Sequence, residues 1–131
     1  MTPLVYIAGP FRATSPWLVE QNVRRAEEWA LAVACAGGMP VTPHLLGRHF
    51  NDHPIGRPDD EQFWLAGTLE LMRRCDGVLM IPKWSESRGA TAELDEAGRI
   101  GLPVLFADHV PVLLGDWIAG LGEASLVGGR R

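Results

Sequence analysis

Cysteine is scarce in this sequence, with two residues among 131. Cys35 and Cys75 each stand alone inside a helical pattern, and no C-x-x-C pair occurs. That spacing argues against a disulfide framework or a thiolate zinc site and predicts reduced core thiols in a cytoplasmic protein. The four histidines, His44, His49, His53 and His109, lack zinc-ligand spacing such as H-E-x-x-H, so no metal is expected. Positive charge is short as well. A net charge of -4 and a pI near 5.5 argue against a protein that grips a nucleic-acid backbone. No apolar run approaches the roughly 18 residues of a membrane span. No charged n-region precedes the first apolar run, so no secretory signal is expected. Internal repeats and low-complexity segments are missing too. What is present is a chain that is 47% hydrophobic, enough for one domain with a real core over residues 1–131.

Four short apolar runs alternate with helical patterns. The runs are Leu4 to Ala8, residues 40–44 (broken by Pro43, with His44 at the strand end), 77–82 and 103–107. The helical patterns cover residues 20–36, 63–75, 90–100 and 111–121. In the first, Val23, Ala26, Ala30, Val33 and Ala34 share a face, and Gly37-Gly38 stops it. In the second, Trp64, Leu65, Thr68, Leu69 and Met72 point inward. Continuous apolar strands alternating with helices make a βαβ series. The expected fold is therefore α/β, a doubly wound parallel sheet of four to five strands with helices on both faces. Residues 45–61 are polar and turn-rich, a loop long enough to be either functional or partly disordered. The tail from residue 128 is expected to fray.

The junction between the third run and its helix organises the rest. Trp84-Ser-Glu-Ser87-Arg-Gly89-Ala-Thr-Ala-Glu93 reads as a small polar turn from strand to helix. In an open α/β sheet such a turn lies at the carboxyl ends of the strands, where ligands bind. Backbone N–H groups at the helix start, with the Ser87 hydroxyl beside them, suit an anion such as a phosphate. On the helix, Ala90, Leu94, Ala97 and Gly101 form the inward face, and Glu93 falls on its flank. A carboxylate there needs a partner or a task. The alternative is a first-turn glutamate that complements the helix dipole. Among the aromatics, Trp29 and Trp64 lie in helical patterns and read as packing. Trp17 and Trp84 lie in loops flanking the cleft, where an indole, or the ring of Phe11, could stack on a planar ligand.

Tyr6-Ile-Ala-Gly9-Pro10-Phe-Arg12, together with Cys75-Asp76-Gly-Val and Ser87-x-Gly89-x-x-x-Glu93, resembles the nucleoside 2-deoxyribosyltransferase superfamily. That superfamily includes the 2'-deoxynucleoside 5'-monophosphate N-glycosidases. The resemblance spans about residues 4–107, and the Trp84-x-x-Ser87-x-Gly89-Ala90-x-x-Glu93 form is closest to a branch of short proteins within it.

The resemblance implies a flavodoxin-like sheet, no cofactor, and cleavage of a nucleoside's N-glycosidic bond. Glu93 falls on the nucleophile that attacks C1', as in a retaining glycosidase. Tyr6, Gly9 and Arg12 match the motif placed around the substrate, and Ser87 and Gly89 match the positions that hold the 5' end. Arg12 suits a phosphate there through its planar fork, or is a solvated loop arginine. One departure stands out. The family's usual Asp, eight residues before Asp76, is Thr68 here, which cannot serve as an acid. His44 is the replacement proton donor on offer, and the alternative for it is a hydrogen-bonded strand-end residue. The expected partner is a nucleoside or nucleotide, and a non-catalytic nucleotide-binding domain is the competing reading. The resembling enzymes are symmetric oligomers. The stripe Val112, Leu113, Trp117, Ile118 and Leu121 therefore predicts a homodimer or higher homo-oligomer.

Overall fold

A computed structural model of the chain describes residues 1–47, 50, 55, 60–107 and 112–128, with side chains in the last helix described from 113 to 124. Four strands and four helices alternate: β1 (Leu4–Ala8), α1 (Pro16–Cys35), β2 (Met39–Val41), α2 (Glu61–Arg73), β3 (Gly77–Met80), α3 (Arg88–Ile100), β4 (Val104–Phe106) and α4 (Val112–Gly128). One-turn 3-10 segments follow β2 at Pro43–Leu45 and β3 at Trp84–Glu86. The sheet has the order β2-β1-β3-β4, and each adjacent pair is parallel. This is the flavodoxin-like arrangement, in which the chain crosses from one side of β1 to the other and leaves a crevice at the carboxyl ends of β1 and β3.

The central strands supply both faces of the core. Val5, Ile7, Leu79 and Ile81 point one way and pack against Ala26 and Val33 of α1 and Leu114, Ile118 and Leu121 of α4. Tyr6, Ala8, Val78 and Met80 point the other way, against Met72 of α2 and Ala90 and Ala97 of α3. Burial on both faces is why these strands are continuous apolar runs. Asp76, at the entry to β3, is buried because its carboxylate accepts the Leu4 N–H at 2.7 Å.

Helix ends account for most departures from the expected boundaries. α1 begins at Pro16 rather than residue 20 because Ser15 caps it, accepting the Leu18 N–H at 3.2 Å, with proline at the first helical position. Trp17 is thus in the first turn of α1, 67% exposed, and not in a loop. Ala34 faces solvent, as does Cys35, so only Cys75 is a core thiol. α4 runs to Gly128, well past residue 121, and three of the residues expected to serve assembly turn inward. Ile118 and Leu121 are buried and Trp117 packs beside them, whereas Leu113 is exposed. A Cβ on Gly77 would lie 2.8 Å from Leu121 and 2.9 Å from Trp117, so glycine there lets α4 close on β3. Trp117, Ile118 and Leu121 of the α4 stripe are thus core of this chain and leave Leu113 as the exposed member among its described side chains. Val112's side chain, most of the loop at 45–61 with His49 and His53, His109, and the tail beyond 128 lie outside the described residues.

Candidate active site

Ser87 sets the site's geometry through a local hydrogen bond. Its hydroxyl oxygen accepts the Ala90 N–H at 3.2 Å, which caps α3 and fixes where the helix begins. From that start, Ala90, Glu93 and Ala97 fall on one buried line, with Leu94 half-buried beside it. Glu93 is therefore at the edge of the buried arc, as the periodicity predicts, and only 6% exposed. It lies over Tyr6, whose fully buried phenol comes from the middle of β1. The Tyr6 hydroxyl donates a hydrogen bond to Glu93 Oε2. Thr68 of α2 completes the group: its hydroxyl donates to the Leu65 carbonyl at 3.2 Å and lies within reach of the same phenol.

Burial dominates the electrostatics. It pushes the Glu93 carboxyl up to about 7, against the hydrogen bond from Tyr6, which favours the charged form. The Tyr6 phenol is raised far above its ordinary value, first by burial and then by the neighbouring Glu93 charge. Tyr6 therefore stays protonated and acts as a fixed donor. A carboxyl poised near neutrality, with one oxygen held and the other unassigned, has the chemistry of a nucleophile or a general base.

His44 occupies the 3-10 turn after β2 and is 4% exposed. Its Nε2 is 3.2 Å from the Gly9 carbonyl oxygen. A carbonyl only accepts, so Nε2 carries the proton. Burial lowers the imidazole's pKa, more than the Gly9 and Pro10 carbonyls raise it, and the ring is held neutral. Its bond runs to the β1 loop and not to Glu93, a poor arrangement for the proton donor expected from the sequence. Gly9 is buried, and a Cβ there would collide with Ile81, so this position requires glycine for close approach to the end of β3. Phe11 is 39% exposed, with its ring edge-on to His44 at 6.0 Å. Arg12 is exposed on the same loop.

On the other side of the crevice, Gly89 is exposed in the first turn of α3, and a Cβ there would meet only Ser87 Oγ, at 3.9 Å. Packing does not require this glycine. Trp84 is half-buried, its ring 5.4 Å from that of Phe106 on β4, so much of its indole is core. Sequence reasoning placed Tyr6 around a substrate and missed it as the partner of Glu93. The available signal was a phenol within an otherwise aliphatic, doubly buried strand, which needs a polar partner.

A parallel sheet in the order β2-β1-β3-β4, carrying a buried Tyr–Glu pair beside its crossover point, defines a flavodoxin-like α/β domain with a candidate active site. The chain belongs to the family described as Domain of unknown function (DUF7768), which matches residues 3–107, from the first strand through the fourth. Its fold is similar to the solved structure of a 2-deoxyribosyltransferase from the psychrotolerant bacterium Bacillus psychrosaccharolyticus, characterised as a biocatalyst for nucleoside synthesis. That similarity has a TM-score of 0.54 at 18% identity, over 86% of this chain and 80% of the other. No curated protein matches.

Proposed function

We propose that this protein cleaves the N-glycosidic bond of a nucleoside or nucleoside 5'-monophosphate, passing the sugar to water or to a second base. The observation that carries the reading is the buried Glu93 carboxyl held by Tyr6, on a fold similar to that of a 2-deoxyribosyltransferase. In the ionised state the free Glu93 oxygen attacks C1' and forms a glycosyl ester. The C1'–N bond breaks, its electron pair leaves with the base, and the base takes up a proton. Attack by water or another base nitrogen at C1' then releases Glu93. Tyr6 fixes one carboxylate oxygen so that the other is aimed, which limits the motion lost on reaching the transition state. Around this centre, the α3 turn at Ser87 and Gly89 suits a 5'-phosphate, as does the exposed Arg12 on the loop after β1, and the rings of Phe11 and Trp84 suit a base.

Thr68 favours a second reading. It sets a hydroxyl, not an acid, beside Tyr6, which fits a domain that binds nucleotides without cutting them. Incubation with a panel of ribo- and deoxynucleosides and their 5'-monophosphates separates the two. Release of free base that drops by about three orders of magnitude or more in Glu93→Gln supports the enzyme. Binding without release of any base overturns it in favour of the sensor. The ionised carboxylate is the attacking form, so base release should rise with pH and level off above about 7.

A further inference from the structure

We propose that His44 is a positioning residue that holds the loop after β1 and so sets where Arg12 and Phe11 meet a substrate. Three anchors fix this loop, and His44 provides two of them. The first is the hydrogen bond from Nε2 to the Gly9 carbonyl at 3.2 Å. The second is the edge-on contact with the Phe11 ring, with 6.0 Å between centroids at an interplanar angle of 65°. The third comes from α1, where Asn22 Nδ2 donates to the Phe11 carbonyl at 3.1 Å. Below the loop, Gly9 rests on Ile81 with no room for a Cβ. Arg12 follows directly and is exposed, so its direction is set by residues anchored just before it.

The chemistry of the ring suits a strut better than a proton carrier. Because Nε2 donates to a carbonyl, Nδ1 carries a lone pair, and it is buried without a hydrogen-bond partner among the described residues. A neutral imidazole with its one proton committed to the backbone has none to deliver. Its donor is also directed: the 3-10 turn at Pro43–Leu45 starts at proline, which restricts the backbone that carries His44. The strand-end hydrogen bond that the sequence allowed for His44 thus has a definite object, the Gly9 carbonyl.

The test compares His44→Phe, which keeps ring volume and loses the donor, with His44→Gln, whose amide N–H stands in for Nε2–H. The substrate measurements rest on the function proposed above, and the ligand-free measurements do not. In the free protein, amide exchange over residues 11–14 should rise about three- to ten-fold in His44→Phe, the range expected for one net hydrogen bond, and return toward wild type in His44→Gln. If nucleotides bind, the preference for monophosphates over nucleosides should shrink by a similar factor in His44→Phe while kcat stays within about three-fold. Nitrogen NMR of the wild-type imidazole provides a reading that needs no variant, and it should find the proton on Nε2. Unchanged loop exchange in His44→Phe, or a proton on Nδ1, overturns the proposal. So does a collapse of kcat in both variants with the loop intact, which would make His44 the acid. Failure of every nucleotide to bind would defeat the proposed function and leave the exchange and NMR results to decide on the strut.

Discussion

At the scale of single residues, the cost of Glu93 is the clearest feature of this protein. A carboxyl whose pKa is about 7 in the fold and about 4.5 outside it makes folding less favourable wherever the unfolded chain ionises first. Below the unfolded value both states hold the proton and Glu93 has no such effect. Between about 4.5 and 7 the unfolded state holds fewer protons, so stability falls as pH rises, and above about 7 the loss is complete. The pKa difference corresponds to an upper limit on the order of 3 kcal/mol. Glu93→Gln keeps an acceptor for the Tyr6 hydroxyl and removes the charge. It should match wild type in urea denaturation near about pH 4 and exceed it by about 1–3 kcal/mol near about pH 8. Equal stability of the two proteins at both pH values would mean that Glu93 is not held at an elevated pKa. A gain in stability coupled to loss of base release is the pattern of a site kept for its chemistry at the expense of the fold.

At the scale of an element, α3 and the turn before it separate structural from functional constraint. Ser87 does a structural job as the helix cap, and its hydroxyl proton remains to be donated. Arg73 reaches from α2 to Glu96 of α3 at 2.5 Å, which ties the two helices together below the site. Lys83 adopts a left-handed backbone with φ 70°, so this turn carries strain that glycine would relieve. Gly89 has no packing reason to be glycine. Gly89→Ala should therefore leave the fold intact or stabilise it by about 0.5–1 kcal/mol, as alanine does in helices. A ligand that needs close approach to this backbone would bind more weakly to Gly89→Ala, by about ten-fold or more. Calorimetry with a nucleoside monophosphate checks this, and undiminished affinity removes the first turn of α3 from the site. Ser87→Ala is the less informative change, because it breaks the cap at the same time.

For the molecule as a whole, α4 has the decisive role. It lies beyond the segment that matches the family, yet it seals the face of the sheet opposite the candidate site. Ile118 is 2% exposed and packs in the same cluster as Val5, Ile7 and Leu79. Ile118→Ala should cost about 2–5 kcal/mol, the usual range for truncating a buried aliphatic side chain. Leu113→Ala, on the exposed side of the same helix, should change stability by less than about 0.5 kcal/mol. Thermal unfolding of the two variants checks the assignment, and a similar loss in both would mean that α4 is docked by another face. Among the described residues no helix is long and apolar enough to cross a membrane.

Much of this architecture was legible before any coordinates. The runs at Leu4–Ala8 and 77–82 are continuous because both faces of a central parallel strand are buried, and that signature is local. The α/β class, the strand positions and the inward placing of Glu93 followed from such local patterns. Boundaries were less legible: α1 starts at Pro16 because of a single side-chain cap at Ser15, a weak signal beside a long hydrophobic period. Three things were decided by tertiary structure alone. Tyr6 and Glu93 are 87 positions apart, and only the crossing of β1 beneath α3 makes them a hydrogen-bonded pair. The apolar stripe of α4 has the same periodicity whether it covers its own sheet or a neighbour's, and only the fold shows Ile118 and Leu121 turned inward. His44 has one sequence whatever its tautomer, and the Gly9 carbonyl opposite Nε2 determines it. Periodicity and propensity are properties of neighbours along the chain, whereas partnership between distant polar groups depends on how the elements are stacked.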